Sequence, residues 1–133
     1  MTRDSQKDWK STRDPLYRGD SAAAVLLPTP SASPSIVRHV LYLDGAGRDT
    51  PYSSMTEDES IAKQFAGRTG RVYETSVSKL RSSNVQHIAR KTLLQLLRGD
   101  GKGDAQWPSK FEVMQARRYV EEHAEHLADF RAF

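Results

Sequence analysis

The stretch from Tyr52 to Ala66, Tyr-Ser-Ser-Met-Thr-Glu-Asp-Glu-Ser-Ile-Ala-Lys-Gln-Phe-Ala, constrains the chain most. Pro51 and the small hydroxyl residues end an extended segment. Thr56 then opens a helix whose apolar face is Ile61, Ala62 and Phe65. Thr56 with Glu59 three positions on reads as a capping box. The pattern predicts a strand edge that turns sharply into a short helix. Such a turn presents hydroxyls and free backbone N–H groups, which suits a polar or anionic ligand. Ser54 and Thr56 would serve equally as plain helix caps.

At 133 residues the chain is expected to form one domain, Pro15 to Phe133, preceded by a polar, flexible arm from Met1 to Asp14. Hydrophobic residues make up 37% and charged residues 28%, the balance of a globular protein. No apolar run approaches the length of a membrane span, so no membrane partner is expected. Without cysteine there is no disulfide framework, thiolate metal site or cysteine nucleophile. The four histidines, His39, His87, His123 and His126, lack metalloprotease spacing, and no metal is expected; His123 and His126 fit a solvated helix face. A net charge of +3 favours phosphate-bearing ligands without diagnosing one.

Along the chain, Pro15 to Asp20 reads as a strand with Arg18 near its end, and Ser21 to Leu27 as a short helix. Pro28 to Ser35 is a proline-broken loop. Ile36 to Leu43 suits a strand or a helical turn, and Asp44 to Asp49 a loop whose lone Gly-x-Gly is no dinucleotide fingerprint. Arg71 to Val77 alternates with β-branched and aromatic residues and predicts a strand. Val85 to Arg98 has one broad apolar face, so a helix stopping at Gly99 is expected. The glycine-rich loop from Gly99 to Pro108 follows. From Phe111 the start is ambiguous: Ser109 with Glu112 fits a capping box, yet Phe111 to Met114 would serve as a strand. From Ala116 the helical period predicts Val120, Ala124 and Leu127 inward, with Arg118, Glu122 and Glu125 outward.

Three features stand in order: Arg18 after Leu-Tyr, the Ser54-Met55-Thr56 turn into an Ala-x-x-Phe helix, and Glu112 after a glycine-rich loop. On these the sequence resembles the mono-ADP-ribosyltransferase superfamily, in its Arg–Ser–Glu branch shared with cholera and pertussis toxins. The likeness spans roughly residues 16 to 80. Leu16 to Ser21 matches that branch's Tyr-Arg-x-Asp-Ser. Tyr52 to Phe65, followed by Gly70 to Tyr73, matches its Ser-Thr-Ser motif, helix and next strand.

The resemblance implies an α+β fold of split antiparallel β-sheets with flanking helices, and NAD as substrate. Arg18, Gly19, Ser54, Thr56 and Phe65 would contact or frame the NAD, with Arg18 on its phosphates or ribose and Ser54 positioning the catalytic glutamate. Glu112 would hydrogen-bond the ribose and stabilise the oxocarbenium ion, with Glu121 or Glu122 as alternatives. Trp107 is an acceptor-recognition, lid or core residue. Lys110 stands two residues before Glu112, where arginine-directed relatives carry Glu, and a lysine cannot accept a proton from a guanidinium.

The implied activity is transfer of ADP-ribose to a protein or nucleic-acid acceptor, by a toxin or effector domain secreted or injected into a target cell's cytoplasm, with a cognate immunity protein as partner. An NAD glycohydrolase with water as acceptor, or a non-catalytic binding or immunity module, remains beside it. The carboxylate has a physical rationale of its own. Breaking an N-glycosidic bond develops positive charge at C1′, and a fixed carboxylate binds that transition state better than the ground state.

Overall fold

The computed structural model describes residues 15–20, 28–42 and 49–132. The arm expected over Met1 to Asp14, the helix expected over Ser21 to Leu27 and the Gly45-Ala46-Gly47 loop lie outside the described residues. Among the described residues five strands and five α-helices make a mixed α+β fold: β1 (Pro15–Asp20), α1 (Ile36–Tyr42), β2 (Tyr52–Thr56), α2 (Glu59–Ala66), β3 (Arg71–Ser76), α3 (Val77–Ser82), β4 (Gln86–Ile88), α4 (Arg90–Leu96), α5 (Lys110–Glu122) and β5 (Glu125–Asp129). The strands form one antiparallel sheet in the order β3-β1-β2-β5-β4. The expected split into two sheets is therefore corrected to one. Strand β5 lies between β2 and β4 and joins what would otherwise be separate ribbons.

The register sorts the side chains by face, because successive residues of a strand point to opposite sides. Thr56 pairs with Glu125, Ser54 with Leu127 and Tyr52 with Asp129, so these six share one face. On that side Tyr52 and Leu127 pack with Ile36, Val37 and Val40 of α1, Leu93 of α4, and Val113, Ala116 and Val120 of α5. On the other side Met55 and Ala128 pack with Leu16, Val77 and Val85. His126 is on that second face and fully buried. Its Nε2–H donates to Glu57 Oε2 at 2.6 Å, and its Nδ1 lies 2.7 Å from His87 Nε2. A histidine so partnered satisfies its polar atoms inside the core. The expected solvated helix face for His126 is thus overturned.

Helix α2 is capped by Asp58, whose Oδ1 accepts from Ser60 N at 2.9 Å. Thr56 is the last residue of β2, so the capping box expected of Thr56 and Glu59 does not form. Ser109 does cap α5, accepting from Glu112 N at 3.2 Å. The helix then stops at Glu122, because Ala124 turns into the left-handed region at φ 47° and the chain enters β5. The segment expected as one helix over 85–98 begins instead as β4, and α4 is only 7 residues long.

Candidate functional site

Ser54 stands at the middle of β2, and Glu125 at the start of β5 is its diagonal neighbour on the same face. The Ser54 hydroxyl donates to Glu125 Oε2 at 3.0 Å. From β1, Arg18 Nη1 donates to the Ser54 carbonyl at 3.1 Å, while its Nε and Nη2 hold Asp20 at 3.2 and 3.0 Å. From α1, His39 Nε2 lies 2.7 Å from Ser54 Oγ, and its Nδ1 lies 2.8 Å from Thr50 Oγ1. Four elements or their flanks thus deliver an arginine, a serine, a histidine and a glutamate to one place.

Local sequence accounts for each position. Alternation on β2 turns Tyr52 and Ser54 to the helix-covered face, and the first turn of α1 carries Val37 and Val40 into the core with His39 between them. Tyr52 holds the entrance to α1, its hydroxyl donating to the Pro34 carbonyl at 2.7 Å and its ring meeting His39 edge-on at 5.5 Å.

Burial sets the electrostatics. Glu125 is 3% exposed, and burial pushes its carboxyl up to about 7, against the opposing pull of the Ser54 hydrogen bond and the Arg18 charge. Burial also holds His39 down to about 3, helped by the charges of Arg18 and Arg38. At neutral pH His39 is therefore a neutral imidazole, and Glu125 is poised between its two forms.

The remaining expected site residues fall as follows. Thr56 is buried. Its hydroxyl donates to the His123 carbonyl at 2.7 Å and accepts from Asp58 N at 3.1 Å, which ties β2 to the turn before β5. Gly19 is a packing glycine: a Cβ there would stand 1.8 Å from the Ala62 carbonyl oxygen of α2. Phe65 is 44% exposed and meets the His123 ring at 5.4 Å.

Glu112 was the expected catalytic carboxylate, and the structure puts Glu125 beside Ser54 instead. Glu112 sits in the first turn of α5, where Oε1 accepts from Trp107 Nε1 at 2.6 Å and its N–H donates to the Ser109 cap. Glu121 and Glu122 are exposed on the last turn of α5. Trp107 lines an open cavity of about 680 Å³ with Ser33, Pro34, Ser35, Asp100 and Asp104. Lys110 reaches Asp100 at 3.7 Å from an exposed position.

Sequence reasoning missed Glu125, His39 and Thr50. Glu125 fitted the outer face of a helix as well as it fits a strand, so periodicity carried no signal for it. Among the described residues no group of three or more His, Cys, Asp or Glu could hold a metal ion, and no helix is long and apolar enough to cross a membrane.

The α+β class and this part-buried arginine–serine–glutamate cluster define the chain as far as its geometry goes. No protein-family model, curated protein or solved structure matches it.

Proposed function

We propose that this chain cleaves NAD at the nicotinamide–ribose bond and transfers the ADP-ribosyl group to a macromolecular acceptor. The observation that carries the reading is the meeting of Arg18, Ser54 and Glu125 from three neighbouring strands in one part-buried hydrogen-bonded network. The Arg18 side chain is 25% exposed and permanently charged, which suits a diphosphate. Ser54 fixes the orientation of Glu125. The ionised Glu125 carboxylate stabilises the positive charge that grows at C1′ as the C1′–N bond breaks. The bonding pair passes to the ring nitrogen, so nicotinamide leaves as a neutral molecule. No acid is then needed for the leaving group, in contrast to the paired carboxylates of glycoside hydrolysis.

Hydrolysis, with water as acceptor, is the alternative outcome of the same cleavage step. The toxin or effector setting and its immunity partner belong to the same proposal. Expression of the wild type beside Glu125→Gln in a host cell tests them.

The direct test is nicotinamide release from NAD by the purified protein, with and without cell lysate as a source of acceptors. Release that falls at least about a hundredfold in a folded Glu125→Gln variant supports the reading, by the scale of a preorganised electrostatic group. Labelled macromolecule in the lysate arm separates transfer from hydrolysis. No release in either arm overturns both and leaves a non-catalytic module.

A further inference from the structure

The donors and acceptors around His39 fix one another. A carboxylate only accepts, so when Glu125 is ionised the Ser54 hydroxyl donates to it over 3.0 Å. Ser54 Oγ has then spent its proton and must accept from His39 Nε2 at 2.7 Å. A neutral imidazole with its proton on Nε2 offers a lone pair at Nδ1, which accepts from the Thr50 hydroxyl at 2.8 Å. When Glu125 is protonated the whole order can turn round. The Glu125 hydroxyl donates to Ser54, Ser54 donates to Nε2, and Nδ1–H donates to Thr50. Thr50 Oγ1 also accepts from Tyr52 N at 3.2 Å, and this bond survives in both arrangements.

We propose that Thr50, His39, Ser54 and Glu125 form a hydrogen-bond chain that reverses its polarity when Glu125 gains or loses a proton, with His39 as the positioning residue whose ring tautomer aims the Ser54 hydroxyl. The protons balance along the chain. As Glu125 ionises, its proton passes to Ser54 Oγ, the Ser54 proton passes to Nε2, the Nδ1 proton passes to Thr50, and the former Thr50 hydroxyl proton goes to solvent. The exit lies where the chain is most accessible: Glu125 and His39 are each 3% exposed, whereas Thr50 is half-buried.

The surroundings favour a neutral relay over a charged one. Arg18 with its partner Asp20 faces the chain from β1, and Arg38 acts on it from α1. On the same face of the sheet Tyr52 and Asp129 lie farther along, with Arg131 held by Asp129 at 2.8 Å. The core side chains of α4 and α5 on this face are apolar: Leu93, Val113, Ala116 and Val120. An imidazolium between two arginines is costly, so His39 moves protons by changing tautomer and stays uncharged.

The test needs no NAD and so stands or falls apart from the proposed activity. Nitrogen-15 NMR of histidine-labelled protein is followed from about pH 5 to about pH 9, a range that brackets the Glu125 carboxyl at about 7. His39 is expected to carry its proton on Nδ1 at the acid end and on Nε2 at the basic end, with a midpoint equal to that of the Glu125 carboxyl followed by carbon-13. In Ser54→Ala the carboxyl should still titrate while His39 no longer follows it. In Glu125→Gln His39 should keep one tautomer throughout. A wild-type His39 that holds a single tautomer over the whole range overturns the proposal. So does a His39 that still switches in either variant.

Discussion

Ser54 and Glu125 are 71 residues apart in the chain and joined by one 3.0 Å hydrogen bond, formed because β2 and β5 are central neighbours in the sheet. That bond is made inside the protein, where the charged form of Glu125 is disfavoured by lost hydration and favoured by Ser54 and Arg18. Desolvation wins, and the carboxyl is pushed up to about 7.

If ionised Glu125 stabilises the developing charge at C1′, nicotinamide release should rise about tenfold per pH unit on the acid side and level off above about pH 7. A pH–rate profile of kcat checks this. A flat profile through that range, in an active protein, removes Glu125 from the reaction.

Stability should pass through an optimum near pH 6.5. His39 and His87 are lowered to about 3 and about 4, so the unfolded chain binds their protons first, and their contribution is lost as pH falls below 6.5. Glu125 has the opposite sign: raised from 4.5 to about 7, it holds its proton in the fold, and its contribution is lost as pH rises from 4.5 to 7. Between 4.5 and 6.5 the two histidines outweigh the one glutamate. Urea unfolding at stepped pH measures the slope, and His87→Asn should reduce the acid-side slope by about one proton.

Glu112→Ala and Glu125→Gln should part company. The first removes the acceptor of the Trp107 indole and should cost about 1–2 kcal/mol of stability with nicotinamide release kept within a few-fold. The second should lower release at least about a hundredfold. Equal loss in both folded variants would return the catalytic role to the start of α5.

Gly19→Ala should destabilise by about 3 kcal/mol or more, because the added Cβ meets backbone of α2, which cannot turn aside. Thr56→Val should cost about 2 kcal/mol through the lost bond to the His123 carbonyl and the unpaired Asp58 N–H. Denaturant midpoints of both variants check these figures.

Much of the local structure was legible. The alternation of Arg71 to Val77 gave β3 and the Leu-Tyr-Arg run gave β1, while Ser109 three residues before Glu112 left a helix and a strand both open, of which the helix α5 forms. Arg18 and Ser54 stood out through the resemblance carried by Leu16 to Ser21 and Tyr52 to Phe65, and the structure brings the two together. Glu112 stood out through the same resemblance, as the glutamate after the glycine-rich loop, and in the structure its N–H donates to the Ser109 helix cap.

What the sequence by itself determined is what depends on neighbours in the chain: apolar period, caps, turns, and the residue types available for chemistry. Only the tertiary structure decided which carboxylate meets Ser54. Val120, Ala124 and Leu127 satisfy a helical period, yet α5 ends at Glu122 and Leu127 is buried from a strand, because the gap between β2 and β4 supplies backbone partners on both sides of β5. A backbone saturated on two edges outweighs the weak preference of Ala and Leu for helix. The same pairing that made β5 a strand turned Glu125 toward Ser54, while Glu112, in the first turn of α5, holds the Trp107 indole.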